Sequence, residues 1–260
     1  MDILKKIMAE RKADVAEVRR IVSEETLLKK ASTRQHHSLK ELLRGRGKPC
    51  IIAEIKKASP SAGMLRIDYR PAEIARSFQE SGATGISVLT EPRHFLGSEG
   101  DFLAVRSAVD IPLLRKDFLC DAYQVYESAA WGADVVLLIV AALDKKQLQV
   151  MNQAAREMNL DVIVEAHKEE EVWIALELEN AIIGVNSRDL KKLKTDLSVA
   201  RRLAVMIPHD RLSVAESGIK EKKEIKELFS LGYNGFLIGE TLMRDGDPRG
   251  KLSEFAIENG

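Results

Sequence analysis

Apolar residues recur at broadly helical spacing through the first part of the chain. Ile3, Ile7, Val15, Val18 and Val22 stand among charged neighbours, which predicts an amphipathic helix over Ile3 to Ile21. Leu27, Leu28 and Ala31 predict a second short helix, and Leu39, Leu42 and Leu43 a third. No convincing strand precedes Gly45-Arg46-Gly47-Lys48-Pro49, which reads as a turn.

After Pro49 the period changes, and short apolar runs alternate with longer amphipathic ones. Strands are predicted at Ile51 to Lys56, Ile86 to Leu89, Leu113 to Arg115, Val135 to Val140, Asp161 to Glu165, Ala181 to Val185, Leu212 to Ala215 and Gly235 to Ile238. Helices are predicted from Pro71 to Ser81, Phe102 to Val109, Asp121 to Trp131, Asp144 to Met158 and Glu169 to Leu178. Three more follow, one from near Asp196, one from Lys220 to Leu231 and one from Gly250 to Ile257. The strand runs are largely apolar, as parallel strands covered on both faces must be. Gly82, Gly132 and Gly232 each end a helix just before a strand, a weak internal echo. A doubly wound open sheet usually shows a glycine-rich dinucleotide loop after its first strand, and none occurs. The expected fold is therefore an α/β (β/α)8 TIM barrel. Residues 1–260 are expected to form one domain, with residues 1–48 as an N-terminal helical extension.

A length of 260 residues suits a single barrel of this kind. Forty Lys and Arg balance forty Asp and Glu, so no global field would gather nucleic acid or a membrane surface. Neither partner is expected, and self-association is expected to be weak, with a monomer favoured over a dimer. The longest apolar run, Val135 to Leu143, is too short to span a bilayer, and the N-terminus lacks the apolar core of a signal peptide. Cys50 and Cys120 read as two reduced thiols in a cytoplasmic protein. There is no H-x-x-H, H-E-x-x-H or clustered cysteine pattern, so no metal site is expected. His36-His37, His94 and His209 are isolated, and His167, two residues after Glu165, is expected to be structural and to point away from it. Trp131 and Trp173 read as packing residues, and Lys191-Lys192-Leu193-Lys194 as a solvated loop.

The strand ends carry the unusual chemistry. In barrels of this type the reactive groups sit at the C-terminal ends of the strands. Here the ends read Glu54 and Lys56, two apart and so on one face, then Lys116, Glu165, Asn186 to Arg188, Glu216 to Gly218, and Gly239. Ions facing a barrel interior are costly unless paired, and sets of them mark active sites. Ser217-Gly218-Ile219 and Gly239-Glu240-Thr241 each precede a helix, so their backbone N–H groups suit a phosphate, with Arg188 within reach.

Longer segments around these residues add specificity. Ala53-Glu54-Ile55-Lys56-Lys57-Ala58-Ser59-Pro60-Ser61 is followed by Gly63 and Arg66. Then come Leu89-Thr90-Glu91 with Phe95 and Gly97, Arg115-Lys116-Asp117-Phe118, Leu137-Leu138-Ile139 and Val164-Glu165-Ala166-His167. Gly184-Val185-Asn186-Ser187-Arg188-Asp189-Leu190, Glu216-Ser217-Gly218-Ile219 and Leu237-Ile238-Gly239 complete the set. In this order, over nearly the whole chain, they resemble the indole-3-glycerol phosphate synthase family. Phosphoribosylanthranilate isomerase and the tryptophan synthase α subunit fit less well, because of the long first-strand segment and the helical N-terminus.

The resemblance implies ring closure, decarboxylation and dehydration of 1-(2-carboxyphenylamino)-1-deoxyribulose 5-phosphate, without a cofactor. It implies an N-terminal segment that helps cover the active-site mouth. Lys116 is implied as the general acid of ring closure, and Glu165 as acid or base of dehydration, with Lys56 competing for the acid role. Glu54 would orient Lys116 or bind the anilino nitrogen, and Lys56 would also face the substrate carboxylate. Asn186 and Glu216 would bind the sugar-chain hydroxyls. Ser59, Arg188, Ser217, Gly218 and Gly239 would hold the phosphate. Phe95, Phe118 and Leu137 would form an apolar slot for the aromatic ring. Two departures stand out. Glu99 to Val105 differs from the commoner glycine-rich form. Glu240 stands where many members have a small hydroxyl residue, and it is expected to point to solvent.

Overall fold

Eight parallel strands close on themselves. The computed structural model describes residues 3–32, 35–45, 47–189 and 194–255. The strands are β1 (Cys50–Ile55), β2 (Gly85–Leu89), β3 (Leu113–Lys116), β4 (Val135–Ile139), β5 (Asp161–Ala166), β6 (Ile182–Asn186), β7 (Ser213–Glu216) and β8 (Gly235–Ile238). Each pairs with the next, and β1 pairs with both β2 and β8. Apart from the partly exposed last residue of β3, every strand position is buried, which is why the strands carry Val, Ile and Leu almost throughout.

The predicted strand boundaries lie within about a residue of those observed. Elsewhere local chemistry moves the ends. The helix after β2 spans Glu99–Arg106, beginning before Phe102, because the Ser98 side chain accepts from the Asp101 N–H and caps it. Val140 belongs to a short 3-10 turn, Val140–Ala142, and not to β4. The loop after β1 contains a small antiparallel hairpin, Ala58–Ser59 with Gly63–Met64, that the periodicity does not reveal. The closing helix spans Pro248–Phe255; Arg46 of the predicted turn, Lys191 to Leu193 and Ile257 lie outside the described residues.

Three helices precede the barrel: α1 (Ile3–Ile21), α2 (Glu24–Ala31) and α3 (Leu39–Gly45). They clasp it from both ends. Leu39 and Leu43 of α3 lie against the first residues of β2 and β8, Gly85 and Gly235, at the barrel floor. The Asp161 carboxylate at the start of β5 accepts from Ser38 and from the Lys40 N–H, at 3.1 and 3.0 Å. Charged residues of α1 instead reach the C-terminal mouth. Arg11 donates to Asp117, Asp14 pairs with Arg93 and Glu10 with His94.

Candidate active site

Register sets the charged cluster. Ile139 pairs with Glu165, Glu165 with Gly184 and Asn186 with Glu216, so these groups crown the barrel at neighbouring levels. Lys116, the last residue of β3, donates from Nζ to Glu165 Oε2 and to Glu216 Oε2, at 2.8 Å each. Glu54 accepts from Lys56 at 2.5 Å, whereas Lys116 is oriented by the other two carboxylates. Two glycines make room for this. A Cβ on Gly184 would lie 2.5 Å from Glu216 Oε1 and 2.7 Å from Ile163. A Cβ on Gly239 would collide with the Glu54 carboxylate, whose Cδ would be 2.9 Å away.

Burial alone would favour a neutral Lys116 amine, but the charges of Glu165, Glu216 and Glu54 outweigh it and raise its pKa, so the ammonium persists. The two carboxylates sharing that ammonium are driven apart. Burial opposes ionisation of Glu165, yet Lys116, His167 and a hydrogen bond from Asn186 bring its pKa down to about 2. Burial pushes Glu216 up to about 7; Lys116 opposes this, and repulsion from Glu165 adds to it. Both acids contact Lys116 equally, so the difference lies in the other oxygen. Glu165 Oε1 is 3.3 Å from His167 Nε2, whereas Glu216 Oε1 is buried and has no hydrogen-bond partner among the described residues.

His167 therefore does not point away. Its N–H donates to Glu171 at 2.8 Å, and the ring lies between Glu165 and Glu171. Residues two apart on a strand share a face, as Glu54 and Lys56 do, so the alternation itself puts His167 on the side of Glu165.

Beside the ions a cavity of about 620 Å³ opens at the ends of β7 and β8. Ser217, Gly218, Gly239 and Arg188 line it. Ser217 and Gly218 both have left-handed backbone, φ 65° and 88°. For serine that conformation is unfavourable, and such residues gather at ligand sites. Arg188 donates to Ser61 at 2.5 Å and to Glu240 at 2.9 Å. Glu240 thus lies along the cavity wall, held by Arg188 and Arg244, with 36% of its side chain still open to solvent. Ser59 does not line this cavity. Its hydroxyl accepts the Ala62 N–H within the hairpin turn, and Ser61 faces Arg188 in its place.

Phe95 and Phe118 meet with ring centroids 5.9 Å apart and line a narrow slot with Lys56, Ser59 and Arg188. The Glu91 carboxylate accepts the N–H groups of Arg93, His94 and Phe95, which folds the loop that presents Phe95. Leu137 is not among the slot residues; it pairs with Ile163, two positions below Glu165. Ile3, Leu4 and Ile7 of α1 line the slot instead. Their helical spacing was legible, but not which element their apolar face would meet.

Among the described residues no group of three His, Cys, Asp or Glu side chains is disposed to hold a metal ion. No described helix is long and apolar enough to cross a membrane.

Comparison with known proteins gives a consistent result. The family model described as indole-3-glycerol phosphate synthase matches residues 4–255. An indole-3-glycerol phosphate synthase of Burkholderia multivorans is 41% identical over 255 residues, 97% of this chain and 98% of that protein. One from Magnetococcus marinus is 42% identical over 261 aligned residues, 98% and 97% of the two chains. One from Rhodospirillum rubrum is 48% identical over 202 residues, 77% of each chain. Among solved structures, a thiamine phosphate pyrophosphorylase from Pyrococcus furiosus superposes with a TM-score of 0.57 at 18% identity, over 80% of this chain and 94% of that one. That likeness is one of fold.

Proposed function

The chain belongs to the indole-3-glycerol phosphate synthase family, and from that premise we propose how its own residues divide the work. The activity is that of a carboxy-lyase of tryptophan biosynthesis. It closes the indole ring of 1-(2-carboxyphenylamino)-1-deoxyribulose 5-phosphate and releases carbon dioxide and water.

The observation that carries the assignment is the ammonium of Lys116 held between Glu165 and Glu216. The ring carbon bearing the carboxylate attacks the ketone carbon of the sugar chain. The ketone oxygen gains negative charge and takes a proton from Lys116, whose position also stabilises that charge. The carboxyl group leaves as carbon dioxide, and its bonding electrons return to the ring. Loss of the new hydroxyl as water then needs an acid at that oxygen and a base for the departing ring proton. Glu165, ionised, is suited to the base. Glu216, whose burial raises its pKa to about 7, binds the sugar-chain hydroxyls with Asn186 and is placed to exchange a proton with Lys116. Lys56, held by Glu54, faces the substrate carboxylate and is the second candidate acid.

Arg188, Ser217, Gly218 and Gly239 hold the phosphate, with Ser61 in the part first assigned to Ser59. The aromatic ring enters the Phe95–Phe118 slot beneath α1, where exclusion of water strengthens the electrostatics. We read the chain as one domain, with the helices before β1 serving as clasp and lid. Even charge balance and two buried cysteines outside any disulfide favour a cytoplasmic monomer. Incubation with the synthetic substrate, following indole fluorescence and carbon dioxide together, tests the reading. One equivalent of each is expected, and release of neither would overturn it.

A further inference from the structure

The carboxylate least expected at a phosphate site is Glu240. It immediately follows Gly239 and lines the same cavity as Arg188, Ser217 and Gly218. A fixed anion there repels a phosphate, so its presence calls for a reason. The geometry supplies one. Glu240 Oε2 accepts from Arg188 Nη2 at 2.9 Å, and Oε1 accepts from Arg244 Nε at 3.2 Å. Arg188 is at the same time bonded through Nη1 to Ser61 in the loop after β1. One guanidinium thus joins the loops after β1 and β6 to the helix after β8. Five cations line the cavity, namely Lys56, Arg188, Lys220, Arg244 and Lys251. Lys56 is engaged by Glu54 and Lys251 by Glu254, and of the other three, Arg188 and Arg244 both pair with Glu240.

We propose that Glu240 is a displaceable internal anion that occupies Arg188 in the empty enzyme, so that the substrate phosphate binds by exchanging for it. This rests on the assignment of Arg188 to the phosphate. The carboxylate keeps Arg188 extended across the mouth while the site is empty, and Arg244 retains it once the phosphate has taken its place. The exchange discriminates by charge. A dianionic phosphate bonds bidentately to Arg188 and can outcompete one carboxylate, whereas a neutral or singly charged group gains too little to do so. It also lowers the affinity for phosphate-bearing product and so assists its release. The ionised state of Glu240 is consistent with this. Burial opposes it, but the bonds from Arg188 and Arg244 lower the pKa overall.

Calorimetric titration with inorganic phosphate tests the proposal without relying on turnover. The proteins are the wild type, Glu240→Gln, Arg188→Ala and the double variant, each first shown to be folded by its unfolding midpoint. Arg188→Lys replaces Arg188→Ala if the latter does not fold. Glu240→Gln keeps the shape and one acceptor but removes the charge. It should bind phosphate about ten-fold more tightly, a like-charge effect discounted for partial exposure. The gain should vanish in the Arg188→Ala background, since the two side chains act as one unit. Three results would overturn the exchange. Glu240→Gln could bind no more tightly while Arg188→Ala still weakens binding. It could gain equally in both backgrounds, which would make Glu240 only a diffuse charge. Or wild-type binding could be absent and indifferent to Arg188, in which case the phosphate assignment itself fails and takes the exchange with it.

Discussion

Arg11 Nη2 donates to Asp117 Oδ2 across 2.8 Å, tying α1 to the residue that follows Lys116. The bond is buried and embedded. Asp117 also accepts from Thr90 at 2.9 Å and from Arg115 at 3.1 Å, and the fully buried Arg115 guanidinium lies 3.9 Å from the Trp131 ring. A buried arginine is tolerated only when its donors are met, and here the carboxylates of Asp117 and Glu127 and the hydroxyl of Ser128 meet them. The helix that lines the aromatic slot is therefore anchored to the strand that carries Lys116.

Cutting that anchor should affect both stability and binding. Arg11→Ala removes a charge-assisted bond yet leaves Asp117 paired with Arg115, so a loss of about 1–3 kcal/mol is expected. Because Leu4 and Ile7 of the same helix line the slot, KM should rise more than kcat falls. Denaturant unfolding with steady-state kinetics checks both. An unchanged KM in a destabilised variant would confine α1 to a structural role.

Much of this arrangement could be read from the chain alone. Eight apolar runs locate the strands, and the charged residues at the ends of β1, β3, β5 and β7 mark the crown, because period and burial are local signals. What escaped were orientations set by tertiary contact. Ser59 and Ser61 are two apart in one motif, and only the hairpin decides that Ser61 meets Arg188. His167 is a different case: residues two apart on a strand share a face, so the alternation, correctly applied, turns it toward Glu165. Glu240 is drawn along the cavity wall by its i+4 neighbour Arg244 and by Arg188, which is far away in the chain, and the second contact is one the sequence alone does not show. Leu137 belongs to the right strand but lies below the slot, a depth fixed by strand register.

Stability should carry the signature of Glu216. Its pKa in the folded protein is pushed up to about 7, against about 4.3 in an unfolded chain. Between those values the folded state holds a proton that the unfolded state has lost. Stability therefore falls as pH rises from about 4.3 towards 7, and the full cost persists above that. Glu216→Gln removes the titration, so its stability should decline less over the same interval. Unfolding free energies at several pH values compare the two. Parallel curves would mean that Glu216 ionises normally.

Gly239 offers a steric test of the Glu54–Lys56 pair. Gly239→Ala directs a methyl group into the Glu54 carboxylate, while a Cβ on Gly246 would meet nothing within 4 Å. Displacing Glu54 frees Lys56 and disturbs the face opposite the substrate carboxylate. A fall in kcat of about 10²-fold is expected, the scale of a misplaced reacting group. Gly246→Ala should be near normal. Equal activity of the two variants would show that Glu54 can move without consequence.

The sharpest test concerns Lys116. If Lys116 is the proposed proton donor of ring closure, Lys116→Ala should lower kcat by about 10²–10⁴-fold, the usual worth of a placed general acid. KM should change far less, since the proposed phosphate site lies in the loops after β6, β7 and β8. Lys116→Arg should restore little activity. Arginine keeps the charge but gives up its proton poorly, and its wider planar head does not fit between two carboxylates that each approach a single nitrogen at 2.8 Å. The alternative is that Lys116 only neutralises Glu165 and Glu216. In that case Lys116→Arg should recover much of the rate, and Lys116→Ala should suffer mainly in stability, because two buried carboxylates would then face each other without a counter-charge. Measuring kcat, KM and the unfolding midpoint for both variants separates the two roles. A near-normal kcat in folded Lys116→Ala would remove Lys116 from the chemistry and leave Lys56 as the acid.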